Sequence, residues 1–415
     1  MTNSKKILNT LNALCIYDIH GDDVIKSLAK LLESVDEKNN EIKAYAEFFN
    51  TLCSKNSASD FSSYIEKLML YNDNCFTVAC AGGTEKELDD AVIDAVKKDL
   101  KKLETIASLK PSDILEDVED KQVKEILSDM PLWSSEKSRN VINRPWHESL
   151  DEIAAFHLKN GYGEFATSNA FAWRDCTLCP ISSSDDILLE DLKCYEIQRQ
   201  KVVDNTQSFV MGLPANNVLL YGDRGTGKSS TVHAVLNEFA QQGLRMIEVP
   251  KAAIPQFPII LEKIVNSPMK FIIFIDDLSF SSDDDSYAQL KAVLEGSISA
   301  RQKNTLIYAT SNRRHLIKES FSSRDGDELH RADTIQETMS LSDRFGLSVT
   351  FLNPDKKKYF EIVDKIVSDR KLDADIEKMH RGAERWALEK GGRSPRVARQ
   401  YVDWAQSRIE RGLDW

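Results

Sequence analysis

Long apolar runs are what this 415-residue chain lacks first: none reaches the roughly 20 residues that a membrane span needs, so no membrane partner is expected. The opening stretch "MTNSKKILNTLNALCIYDIHGDD" carries two lysines, but Asn, Thr, Asp and His break its apolar residues well short of a signal-peptide core. A cytoplasmic protein is expected. Seven cysteines, an odd number scattered over the chain, fit reduced thiols better than a disulfide framework. Cys176 and Cys179 form the one CxxC, and neither a second pair nor a histidine pair follows to complete a four-ligand zinc site. Glycine and proline are also sparse, at 17 and 11, which leaves little room for long disordered tracts. Excess positive charge is absent too. A net charge of -12 argues against coating nucleic acid by bulk electrostatics and leaves only a local basic patch for such a role.

What is present is enough apolar residue, 41%, for a sizeable core, in a chain longer than single cores usually grow. Residues 1–150 read as a helical accessory domain. Apolar residues recur three and four apart in "VIKSLAKLLESV", "FSSYIEKLMLY" and "LDDAVIDAVKKDLKKLETIASL". In "ACAGGTEKELDD", Thr84 and Glu87 have the spacing of a helix-starting capping box. Residues 151–184 read as a connecting segment within a span, 140–185, rich in aromatics and turn residues. From 185 to 353 short β-rich runs alternate with helical stretches: "NVLLY", "RMIEV", "FIIFI", "TLIYAT" and "LSVTFL" are the expected strands of a parallel α/β sheet. Residues 354–415 read as three helices, the last capped by Ser394 with Pro395 at its first position.

"GDRGTGKSS" matches G-x-x-x-x-G-K-[ST] between an expected strand and an expected amphipathic helix that Gly243 ends. Glycines let backbone N–H groups converge on phosphate oxygens, and a helix N-terminus adds partial positive charge. Gly222, Asp223, Arg224, Gly225, Thr226, Gly227, Lys228, Ser229 and Ser230 are therefore the expected phosphate cradle for ATP. Lys228 would reach the β- and γ-phosphates, and Ser229 would bind Mg²⁺. "FIIFIDDLSF" ends in Asp276 and Asp277. Alone, such a pair is a solvated strand end. Beside a phosphate loop, Asp276 becomes a second magnesium ligand and Asp277 the group that orients or deprotonates the attacking water.

With "LIYATSNRRHL", "LSDRFGL" and "GGRSPRVARQ" following in order, residues 185–410 resemble the AAA+ ATPases. The wording "PANNVLLYGDRGTGKSS", "IDDLSF" and "YATSNRRHL" resembles the bacterial ATP-binding family catalogued as domain of unknown function 815. The resemblance implies an α/β P-loop module, a parallel five-stranded sheet between helices, with a C-terminal helical lid. It implies further that the strand bearing sensor 1 lies between the phosphate-loop strand and the strand of the two acids. By resemblance Asn312 is sensor 1, with Thr310 close by, and Arg344 is an arginine finger acting on a neighbouring subunit, so a homo-oligomer is expected. Arg396 is similar to sensor 2, with Arg393 and Arg399 as neighbours that could be confused with it. Leu192 and Tyr195 would lie in or near the adenine pocket, where the family has glycine in place of Cys194. Most AAA+ proteins carry Glu where Asp277 stands, and an acid shorter by one methylene predicts slow hydrolysis.

These features imply an ATPase that binds Mg·ATP and couples its turnover to remodelling or loading an unknown protein partner. A slowly hydrolysing switch or scaffold that recruits a partner through residues 1–150 is the alternative. A DNA-handling ATPase related to replication initiators or loaders is a third reading, by superfamily analogy alone.

Overall fold

The computed structural model describes residues 2–135, 141–142, 145–181, 187–192, 194–280, 285–294, 303–312 and 344–415. The chain divides into two compact units, Met1–Thr167 and Ser168–Trp415. The stretch 151–184 divides with them. Its first part is helical and belongs to the first unit, whereas its second part forms two strands of the second.

The first unit is helical. Its helices are α1 (Asn3–Asn12), α2 (Asp23–Glu37), α3 (Glu41–Ser54), α4 (Phe61–Leu70) and α5 (Cys75–Gly82). They continue with α6 (Asp90–Ala107), α7 (Pro111–Asp117), α8 (Lys121–Ser128) and α9 (Leu150–Asn160). The three-and-four spacing works as expected: α2 buries Val24, Ile25, Leu28, Leu31, Leu32 and Val35 along one stripe. The Asp99 carboxylate on α6 accepts the amides of Cys15, Ile16 and Tyr17 at 2.8, 2.7 and 3.2 Å, fixing the turn after α1. The expected capping box at Thr84 does not form. Gly83 ends α5 in the left-handed region, the Thr84 hydroxyl turns back to the Ala79 carbonyl, and Asp89 caps α6 through the Ala91 amide.

The second unit is built on a seven-stranded sheet. Its strands are β1 (Ala170–Arg174), β2 (Thr177–Pro180), β3 (Val218–Gly222), β4 (Leu244–Glu248), β5 (Lys270–Ile275), β6 (Thr305–Ser311) and β7 (Leu347–Phe351). The order is β2-β1-β4-β5-β6-β3-β7, parallel except for the β1–β2 hairpin. All five expected strands are present, and the hairpin extends the sheet beyond them. Strand β6 lies between β3 and β5, as the resemblance implied. Burial explains why the central runs were legible: residues 271–275 are all buried, so both faces are apolar and covered. Helices α10 (Glu196–Val210) and α11 (Lys228–Phe239) supply Val202, Phe209, Val232, Val235 and Leu236 to one of the sheet's cores.

Further helices are α12 (Phe257–Ile264) and α13 (Asp285–Leu294). The chain then ends in α14 (Lys356–Asp369), α15 (Ile376–Glu389) and α16 (Pro395–Glu410), a small lid with its own core of Tyr359, Ile362, Met379, Ala383, Tyr401 and Val402. Ser394 caps α16 through the Val397 amide, with Pro395 in the first turn as expected. No helix among the described residues is long and apolar enough to cross a membrane.

Candidate functional site

Strand β3 delivers the chain at its carboxyl end into the loop 223–227, and α11 begins at Lys228. Backbone crowding selects the glycines. A Cβ at Gly222 would lie 2.0 Å from the Phe351 carbonyl oxygen, and one at Gly225 would lie 2.9 Å from Ser394 Oγ. Gly222 therefore lets β7 close on the loop, and Gly225 lets the start of α16 do so, where the Arg396 amide donates to the Gly225 carbonyl at 3.2 Å. Lys228 is 7% exposed, and its ammonium donates to the carbonyls of Gly222 (2.9 Å) and Asp223 (2.7 Å) and to Asn312 Oδ1 (3.2 Å). Burial lowers its pKa, against the pull of Asp223, Asp276 and Asp277. A cation so held acts on phosphate oxygens with little solvent screening.

The acid pair meets this lysine. Ser229 Oγ, in the first turn of α11, donates at 2.6 Å to Oδ1 of Asp276, the residue after β5, which brings the two expected magnesium ligands together. Asn312 Nδ2 donates to Asp277 Oδ1 at 2.6 Å. Lys228, Asn312 and Asp277 thus form one hydrogen-bonded chain. Asp277 itself has φ +50, a left-handed conformation in which Asp and Asn are the tolerated side chains. The donor set suits a hard cation. Among the described residues no group of three or more His, Cys, Asp or Glu could hold a metal alone. One hydroxyl and one carboxylate fit Mg²⁺, which commonly completes its octahedron with phosphate oxygens and water.

A cavity of about 570 Å³ holds these groups, and the lid forms part of its wall. Arg224, Gly225, Thr226, Gly227, Lys228, Ser229, Ser230, Asp276, Asp277, Asn312, Tyr195 and Arg396 all line it. At the end away from the acids, the Tyr195 ring lies 5.2 Å from Phe351 and its hydroxyl donates to the Leu352 carbonyl at 2.6 Å. Leu192 and the lid residues Ile362 and Ile366 make the wall apolar there, as a nucleobase requires. Among the described residues, five cationic and three acidic side chains line the cavity, an excess of positive charge that complements a triphosphate still anionic after binding magnesium.

Three expected site residues stand elsewhere. Gly222 lies behind the loop, against Phe351. Asp223 does not line the cavity, because its carboxylate accepts the Asn353 amide at 2.7 Å in the turn that leads to the lid. Arg344 does not line it either. It precedes β7, whose first residue pairs with Val218 at the start of β3, roughly 16 Å along the strand from the loop.

The two neighbours of Arg396 separate clearly. Arg393 is held by Glu384 at 2.5 and 3.1 Å, a bond that keeps the Glu384 carboxyl below its usual range, whereas Arg399 lines the cavity one helical turn beyond Arg396. Sequence reasoning missed Arg199 and Arg399 as wall residues, and left Thr310 merely nearby although its hydroxyl bonds to Asp276. Arg313 and Arg314, which follow Asn312 and are further candidates for inter-subunit or substrate contacts, the polar connection 319–339 and residues 281–284 of the acidic run "SSDDDSY" beyond Asp277 lie outside the described residues.

A model of the family described as protein of unknown function (DUF815) matches residues 166–409. No curated protein matches the sequence. Among solved structures, a Thermotoga maritima RuvB mutant is similar at a TM-score of 0.38 and 14% identity, over 55% of this chain and 67% of its own. A DNA replication initiation factor is similar at 0.36 and 17%, over 55% and 67%. The Thermotoga maritima RuvB Holliday junction branch migration motor is similar at 0.33 and 13%, over 53% and 72%.

Proposed function

We propose that this chain, which belongs to the DUF815 family of proteins of unknown function, is a cytoplasmic Mg·ATP-hydrolysing enzyme that assembles with copies of itself and remodels or loads a protein partner. The observation that carries this reading is the convergence of Lys228, Ser229, Asp276, Asp277 and Asn312 in one bonded network inside one cavity.

In it, the loop amides and Lys228 take the β- and γ-phosphates, and the apolar end beside Tyr195 takes the base. Ser229 and Asp276 hold Mg²⁺, which supplies charge neutralisation at the phosphate oxygens. The Asp277 carboxylate accepts the proton of the attacking water, and Asn312 orients that carboxylate. Arg396 reads the terminal phosphate from the lid, so ATP and ADP favour different lid positions. Arg344 serves the cavity of the next copy.

One observation favours the switch reading as well. At φ +50 the backbone of residue 277 suits Asp and disfavours the longer Glu, and the shorter acid reaches less far toward the water. Such a chain holds ATP for long periods and signals by occupancy.

Equilibrium binding and single-turnover hydrolysis test both readings. Lys228→Ala is expected to weaken Mg·ATP binding by about 10²-fold. Asp277→Ala is expected to keep binding and to slow hydrolysis by about 10²-fold or more. A wild-type chain that ignores Mg·ATP ends the nucleotide reading. Ready hydrolysis that is indifferent to Asp277→Ala removes Asp277 from the reaction, whereas a wild-type chain that binds Mg·ATP without turning it over ends the enzyme reading and leaves the switch.

A further inference from the structure

We propose that Thr310 is a positioning residue for the acid pair, acting through Asp276 and Asp277 on the metal–nucleotide complex; the proposal rests on the nucleotide-binding reading above. Thr310 lies near the end of β6 and is 2% exposed. Three consecutive residues of the acidic turn bond to it. Its hydroxyl donates to Asp276 Oδ1 at 2.5 Å and accepts the Asp277 amide at 2.9 Å, and its carbonyl accepts the Leu278 amide at 2.7 Å.

A hydroxyl has one proton to give, and here it goes to the carboxylate. The amide of Asp277 takes up an acceptor position on the same oxygen. One side chain therefore fixes both the carboxylate of Asp276 and the backbone of Asp277. That backbone needs fixing, because φ +50 is a conformation that residues with a Cβ hold only when their surroundings impose it.

The direction of the bonds matters for metal binding. Ser229 and Thr310 both donate to Oδ1 of Asp276, and among the described residues none bonds to Oδ2. The two hydroxyls set the plane of the carboxylate and leave its second oxygen for a cation. Thr310→Val keeps the shape of the residue but removes the donor and the acceptor together. Thr310→Ser keeps both.

The test is a titration of a fluorescent ATP analogue against Mg²⁺ and, separately, against Mn²⁺, with binding in EDTA as the reference. Thr310→Val is expected to raise the half-saturating metal concentration by about 10- to 100-fold while metal-free nucleotide affinity stays at the wild-type value. Thr310→Ser is expected to restore the wild-type metal dependence. Circular dichroism checks folding, and Thr310→Ala carries the same measurement if the valine variant does not fold. An unchanged metal dependence in the valine or alanine variant overturns the proposal. So does equal loss of metal-free and metal-bound affinity, or a serine variant as impaired as valine. A wild-type chain that binds no nucleotide at any metal concentration removes the reading beneath it instead.

Discussion

Cys194 and Tyr195 are consecutive residues at φ +64 and +65, so the chain enters the apolar end of the cavity beside Phe351 through two left-handed positions that carry side chains. The first is the position where the resemblance implies a glycine, a residue that adopts this φ without strain. A side chain there costs about 1 kcal/mol, partly offset because the Cys194 thiol packs against the lid core. Cys194→Gly relieves the backbone and loses the packing, and is expected to stay within about 1 kcal/mol of wild type with nucleotide affinity intact. Cys194→Val adds a β-branched side chain where it is least tolerated, and is expected to lose about 2 kcal/mol or more in urea unfolding. A valine variant as stable as wild type would show that the turn relaxes freely.

The elements were legible where burial is two-sided or strictly periodic. The central strands read as apolar runs because both their faces are covered, and α2, α4 and α6 read from their stripes. The hairpin β1–β2 did not. "AFAWRDCTLCP" turns through Asp175 and Cys176, both at positive φ, without the Asn or Gly that marks such a tight turn.

The site was legible as a list of residues, since the loop, acids and sensor carry motif spacing. That Asp223 serves the turn to the lid, and that Thr310 ties the acids, depends on strand order and could not be read locally.

Helix α9 shows how an element can end on a titratable group. Its His157 is fully buried, Nδ1 lies 2.9 Å from the Gly161 carbonyl, and among the described residues Nε2 has no hydrogen-bond partner. Burial lowers the pKa, against the pull of the Gly161 carbonyl. The neutral ring suits this place, with Nδ1–H as donor. A second proton would leave Nε2–H buried and unbonded. The unfolded chain takes up that proton near pH 6.5, the folded one only below it, so this contribution is fully present above about pH 6.5 and falls as acid is added. Urea midpoints are expected to drop between pH 7 and 5 in the wild type and to drop less in His157→Gln. Equal slopes would place the acid sensitivity elsewhere.

At the scale of the whole molecule, the position of Arg344 carries the main consequence. The cavity already holds Lys228, Arg396 and Arg399, and Arg344 approaches the opposite end of the strand that feeds it. A residue so placed does not line its own chain's cavity, and the proposal that it serves the cavity of a neighbouring copy has testable outcomes. Arg344→Ala is therefore expected to bind Mg·ATP with wild-type affinity, since it removes nothing from the chain's own cavity. It should fail to assemble when ATP replaces ADP, and its hydrolysis should fall by about 10³-fold, the usual effect of losing such an arginine. Light scattering with each nucleotide gives the mass, and mixing gives the decisive control. Lys228→Ala supplies an intact Arg344 but an impaired cavity, and Arg344→Ala the reverse. A mixture of the two should recover hydrolysis that neither has alone, because the arginine of one copy completes the cavity of the other. No recovery, together with an Arg344→Ala chain that assembles and hydrolyses like the wild type, would place Arg344 outside the reaction.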